Sequence, residues 1–170
     1  DTTATATAVL TFKGQLFTWN YTEGTNTDNF FTFNDGLSDW SSASDNPQTF
    51  DGESLTKAIK VNSSLRVSFE APMDGTLTLV MNGSGSLWVD NGDGEVSYNI
   101  NTGINTIPIK AGTCTIRKNK TETRLYLLQF AGSSSGEITT DTTTETTTDT
   151  ITEPTTGAVD TLNDDIEWNV

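Results

Sequence analysis

Residues 76–130 read TLTLVMNGSGSLWVDNGDGEVSYNINTGINTIPIKAGTCTIRKNKTETRLYLLQF, and this stretch decides the fold. Apolar and polar residues alternate over 76–81, 86–89, 96–100, 106–110, 113–118 and 124–130. A period of two is the signature of a strand that buries one face. Asn82-Gly83, Asn91-Gly92, Asp93-Gly94 and Ala111-Gly112 separate the runs, and these residue types tolerate the tight backbone of turns.

Working back toward the N-terminus, the same pattern recurs at 16–21, 30–33, 58–61 and 65–69. The turn signals there are Asn34-Asp35-Gly36, Asp51-Gly52 and Asp74-Gly75. Residues 1–8 are Thr- and Ala-rich, a linker end or a first edge strand. No window sustains a helical period. About ten short strands in ~125 residues fit an all-β fold, an antiparallel β-sandwich or jelly roll.

Toward the C-terminus the composition changes at Ser133. The run SSSGEITTDTTTETTTDTITEPTTG carries acids every fourth residue and almost nothing apolar. It cannot bury enough surface to offset its ordering entropy, so an extended Thr-rich linker is expected over 133–158. Residues 159–170 regain Leu162, Ile166, Trp168 and Val170, as a tail or the start of a following module. The expected organisation is a sandwich over 1–132, then the linker, then the tail, in a monomer covalently linked to a catalytic domain.

The net charge of −14 and the absence of histidine exclude whole classes of function. Nucleic acids and anionic membrane surfaces require a clustered excess of Lys and Arg. Nine of the 23 acids and none of the nine bases lie beyond Ser133, so residues 1–132 carry 14 acids against nine bases, a balance of −5. Without histidine, and with a single Cys114 in an apolar run, His-based triads, Cys–His dyads and His-containing zinc sites are absent. A glycosidase needs only two carboxylates. Asp35, Asp51, Asp74, Asp90 and Asp93 occupy turn positions, where capping explains them.

Asp90-Asn91-Gly92-Asp93-Gly94-Glu95 has the oxygen density of a calcium loop without its bidentate Glu spacing, so a hairpin loop accounts for it. A structural calcium assembled from distant loops stays open, and no other cofactor is implied. The Thr, Asn, Ser and Gly richness reads as a secreted bacterial protein whose targeting sequence has been removed.

Two kinds of residue could contact a ligand. In 86–89, Leu87 and Val89 take the core parity, so Trp88 points outward as a platform for a sugar ring or as cover for a second apolar face. Trp19 and Trp40 flank polar loops that leave them unplaced. The scarce bases are the other kind. Lys57 shares the parity of Ile59 and Val61, and Lys118 continues the stripe of Cys114 and Ile116 to a strand end. A lysine that terminates a core stripe snorkels to the sheet rim. Lys60, Arg117 and Lys120 lie nearby in sequence, and together these bases form a candidate patch for a carboxylated ligand.

At these residues the sequence resembles carbohydrate-binding module family 77, from about Phe31 to Phe130. The resemblance is carried by LTKAIKVNSSLRVSFEAPMDGTLTLVM (55–81) and IKAGTCTIRKNKTETRLYLLQF (109–130). It implies a non-catalytic β-sandwich attached to bacterial pectate lyases and related cell-wall enzymes, cellulosomal ones among them. It also implies recognition of homogalacturonan, a pectic polysaccharide, at low methyl esterification, through lysines rather than an aromatic platform. Lys57, Lys60 and Lys118 fall on the matching motif positions. Arg117 and Lys120 are weaker additions, because Arg-Lys-Asn-Lys departs from the simpler Lys-Gly-Asp turn of related modules. A neutral-glycan module using Trp88, a structural or adhesive sandwich, and an enzyme fragment remain as alternatives.

Overall fold

Each of the ten alternating runs lies in or overlaps a strand in the computed structural model, which describes residues 4–34 and 36–142. Asp35 and residues 143–170, which include most of the expected linker and the whole tail, lie outside the described residues. The strands are β1 (Ala4–Asn20), β2 (Thr25–Asn26), β3 (Thr32–Phe33), β4 (Gln48–Phe50), β5 (Glu53–Leu55), β6 (Ile59–Val61) and β7 (Arg66–Ala71). They continue as β8 (Gly75–Asn82), β9 (Gly85–Asp90), β10 (Glu95–Ile100), β11 (Gly103–Ile109), β12 (Gly112–Lys120) and β13 (Thr123–Thr142). The only helical turns among the described residues are short 3-10 turns at Thr27–Asn29 and Ala43–Asp45.

The strands form an antiparallel β-sandwich. One sheet has the order β11-β8-β13-β1-β2, with β6 also paired to β13, and the other has the order β10-β9-β12-β7-β3. Alternation dictates what lies between them. Leu77, Leu79 and Met81 of β8 and Leu125, Leu128 and Phe130 of β13 meet Val67 and Phe69 of β7, Leu87 and Val89 of β9, and Cys114 and Ile116 of β12. Phe17 stacks on Phe30 at 3.9 Å between ring centroids, and Phe30 and Phe69 each lie against Phe130 at 5.8 and 5.9 Å. Cys114 is the small buried hydrophobe that the pattern implies. Burial and the Asp90 charge push its thiol up to about 12, which leaves it inert.

Gly75 marks a close backbone approach in the first sheet. A Cβ there would stand 2.4 Å from the Ala131 carbonyl oxygen on the paired β13. The short β4 and β5 escape a reading by alternation because each has three residues, two of them polar. Their joining turn was legible: Asp51 and Gly52 have φ of 50° and 81°, the primed hairpin geometry that Asp-Gly favours.

Residues 36–58 cross the outer face of the first sheet and bury a second, smaller core. A β-bulge between Leu125 and Leu127 turns both Tyr126 and Leu127 outward, where they join Val80, Ala43, Leu55 and Ala58 under Trp40 and Phe50. The Tyr126 hydroxyl donates to the Asn46 carbonyl at 2.5 Å and ties the crossing segment to the sheet.

The strand β13 runs ten residues past the boundary expected at 132, to Thr142. Threonine is β-branched, and its stiffness suits an extended pleated backbone as well as a linker. The compact body spans Thr11–Gly136, and the described remainder, 4–10 and 137–142, consists of the ends of β1 and β13 and belongs to a separate unit.

Candidate functional site

The bases distribute over the sandwich unevenly. Arg66 pairs across the strands with Arg117, and Lys60 pairs with Arg124. Directly opposed like charges destabilise a sheet, so two such pairs need counter-charge. Two ion pairs are present among the described residues: Arg117 with Glu95 and, at 3.4 Å, Arg124 with Glu122. Arg66 instead donates to the Ser63 and Leu65 carbonyls, both at 2.9 Å. Lys57, Lys60, Lys118 and Lys120 make no ion pair with any described residue.

Lys118 sits as its parity requires. It shares the inner face with Ile116, lies opposite Leu87 and is half-buried at the end of β12. The register then shifts between Lys118 and Lys120, which brings the exposed Lys120 opposite Ser86. The turn Lys120–Thr123 carries the chain from the second sheet to the first beside Gly83 and Gly85. Thr121 is left-handed there, with φ of 54°, a rare state for a β-branched residue. Thr123 pairs with Val61, so Lys60, Arg124, Lys118 and Lys120 belong to elements that meet at one end of the sandwich.

Lys57 departs from the expectation. It precedes β6, and Ala58 and Ile59 are both buried, one in each core, so strict alternation has not yet begun at Lys57. Its backbone N–H donates to Thr22 Oγ1 at 3.0 Å. Its exposed side chain lines an open cleft of about 540 Å³ with Tyr21, Asp39, Trp40 and Ser44. The Tyr21 hydroxyl donates to Asp39 in this cleft. That hydrogen bond, helped by burial and the Asp39 charge, raises the phenol to about 12. Lys60 points from the outer face of β6 into a neighbouring cleft of about 280 Å³ lined by Asn34, Ser38 and Asn62. The segment between the two clefts bridges Asp39 to Ile59, and the Lys60 N–H donates to the Ser38 carbonyl at 2.8 Å.

Arg117 is held by its own protein. Its Nε donates to Glu95 Oε2 at 2.9 Å and its terminal amino group to Oε1 at 2.5 Å, which raises its pKa above the ordinary value. The guanidinium also lies 5.8 Å from the centroid of the Trp88 ring. Trp88 faces outward as its parity requires, but Arg117 covers it. Arg124, which the sequence reading did not single out, is likewise held by its own protein, through Glu122. It stacks 5.0 Å from the Trp40 ring and stands beside Lys60. The signal was available, because Arg124 has the outward parity next to inward Leu125.

Metal ligation has no support at the acidic loop. Asp90 Oδ1 accepts from the Gly92 and Gly94 amides at 2.9 and 3.2 Å, which is turn-building. Among the described residues, no three Cys, Asp or Glu side chains gather as a metal site.

A two-sheet antiparallel sandwich with uncommitted surface lysines and open polar clefts is a binding scaffold, and comparison with known proteins gives its class: a non-catalytic carbohydrate-binding module. The model of the family described as Carbohydrate binding module 77 matches residues 15–128. The chain therefore belongs to carbohydrate-binding module family 77. A solved structure from work on glycan recognition in the Ruminococcus flavefaciens cellulosome aligns at 27% identity and a TM-score of 0.58, over 71% of this chain and 96% of that one. The catalytic unit of a GH87 α-1,3-glucanase from Streptomyces thermodiastaticus aligns at 15% identity and a TM-score of 0.38, over 73% of this chain and 26% of that one. No curated protein matches the sequence. No helix among the described residues is long and apolar enough to cross a membrane.

Proposed function

We propose that this module binds homogalacturonan of low methyl esterification through Lys57, Lys60, Lys118 and Lys120, and so holds a covalently linked, secreted bacterial enzyme at its pectic substrate. The observation that carries the reading is the set of uncommitted lysines on a chain of net charge −14. With no carboxylate of the described residues bound to them, their ammonium groups are available to a carboxylated ligand. Each lysine offers a point charge and three donors to a uronate carboxylate. Exposed pairs of this kind contribute about 0–1 kcal/mol each, so affinity comes from several sugars engaged at once. Arg117 contributes only after exchanging Glu95 for a ligand carboxylate. The similarity to a module studied for cellulosomal glycan recognition supports a setting in a multi-enzyme complex.

Affinity electrophoresis of the full chain against polygalacturonate, highly esterified pectin and a neutral glucan tests the proposal. Retardation by polygalacturonate alone, weakened in Lys57→Ala and more so in Lys118→Ala, is expected. Unchanged migration in polygalacturonate overturns it.

A further inference from the structure

The strand β10 carries an anomaly of burial. Val96 lies opposite Val89, and Tyr98 opposite Leu87, so all four side chains share the inner face of the second sheet. Val89 and Leu87 are buried, yet Val96 is 53% exposed. The strands β10 and β11 are the edges of the two sheets, and Ile100, at the far end of β10, is 2% exposed. The sandwich is thus closed at Ile100 and gapes at Val96. The opening is a cleft of about 420 Å³ with Val89, Val96, Tyr98 and Ile109 in its lining. It opens at the Asp90–Gly94 turn, whereas Ser86, at the other end of β9, lies opposite Lys120. Four residues of extended strand, roughly 13 Å, separate Asp90 from Ser86.

The rim is fixed before any ligand arrives. Asn91 donates to the Lys110 carbonyl at 3.1 Å and accepts from the Lys110 amide at 2.5 Å. Asp74 Oδ1 accepts from the Ala111 amide at 2.9 Å. The Asp93 carboxylate, the Lys110 ammonium and the Tyr98 hydroxyl make no hydrogen bond or ion pair with described residues, and all line the cleft. An apolar floor with a few converging polar groups, in a volume of this size, is the build of a small-ligand site.

We infer that this cleft is a second glycan site, and that it takes a neutral hexopyranose unit. Two carboxylates against one ammonium repel a uronate, which sets this site apart from the lysines. A neutral ring instead lays its C–H face on Val96 and Tyr98, donates hydroxyl protons to Asp93 and Asp74, and accepts from Lys110. The inference goes beyond the pectate reading and stands without it.

The test is an amide-resolved NMR titration of the full chain with the methyl glycosides of galactose, glucose and mannose, and separately with galacturonic acid. At least one neutral glycoside should shift Asp93, Gly94, Val96 and Lys110 with a dissociation constant in the millimolar range, and galacturonic acid should not. Asp93→Asn and Lys110→Met change exposed groups that make no hydrogen bond or ion pair with described residues, and each should weaken that binding roughly tenfold, as loss of a hydrogen bond to a charged group does. Replacing Lys57, Lys60, Lys118 and Lys120 by Met should leave it unchanged, which separates it from the lysine reading. Absence of shifts with all three neutral glycosides, shifts confined to the lysine end, or equal shifts with galacturonic acid would overturn the inference.

Discussion

Replacing Lys57, Lys60, Lys118 and Lys120 by Met, singly and together, isolates charge from packing, because Met keeps most of the apolar stem that lysine lays on the surface. Lys60 and Lys118 are half-buried and the other two exposed. Half-burial reduces screening of an incoming carboxylate, so about 1 kcal/mol is assigned to each of the first two and about 0.5 kcal/mol to each of the others. Together they contribute about 3 kcal/mol, a loss of roughly a hundredfold in affinity for polygalacturonate, with roughly fivefold for Lys60 or Lys118 alone. Titration calorimetry at low and physiological ionic strength reads both terms. Between about 0.01 M and 0.15 M salt the screening length falls from about 30 Å to 8 Å, so wild-type binding should weaken while the residual binding of the quadruple variant stays flat. Melting temperatures check that each variant remains folded. A quadruple variant within about twofold of wild type, or a wild type insensitive to salt, would refute the reasoning.

Three further outcomes follow from the geometry. Glu95→Gln releases the Arg117 guanidinium from its bidentate partner and removes a carboxylate that repels an acidic polymer, so retardation in polygalacturonate gels should increase; equal or weaker retardation would place Arg117 outside the site. Tyr126→Phe deletes the bond to Asn46 and leaves a carbonyl on an exposed residue that water can reach. The cost should be about 1 kcal/mol, a melting temperature lower by about 4 °C in calorimetry. At high pH the sign follows from the tyrosines. The Tyr21 phenol is raised from 10.0 to about 12 in the folded chain, so its contribution is intact below pH 10 and is lost as pH rises through 12. Denaturant titrations over that window should show falling stability, with a shallower fall in Tyr21→Phe.

The sandwich was legible because its strands bury one face each, and period-two alternation survives wherever one side meets the core. Orientation followed from the same rule at Trp88 and Lys118, whose neighbours Leu87, Val89 and Ile116 are buried. Legibility failed where a residue's surroundings come from a distant segment. Val80, Tyr126 and Leu127 break alternation because 36–58 covers the outer face of the sheet, and nothing local to β8 or β13 announces that cover. Lys57 fails for the same reason, since Ala58 and Ile59 are buried by different cores. Arg117 shows the opposite error: its charge is plain in the sequence, but its partner Glu95 stands 22 residues away on β10.

Those failures bear on how the module separates ligands. A base is available to a polymer only if its own protein leaves it uncommitted. Proximity in sequence is a poor guide to that, since Arg117 and Lys118 are adjacent yet lie on opposite faces of β12. The bulge before Lys120 and the left-handed Thr121 redirect the chain where the two sheets join, so the lysines of β12 and β6 come from different sheets but from one end of the molecule. The gaping edge at Val96 lies on β10 toward the Asp90 end of β9, away from Ser86 and Lys120, with carboxylates where the first end has ammonium groups. Antiparallel strands of this length necessarily present two ends with independent loop chemistry. The charge selection proposed for one end would leave the other free to take a ring that carries no charge, so the two proposed sites can be tested with separate substitutions and separate probes.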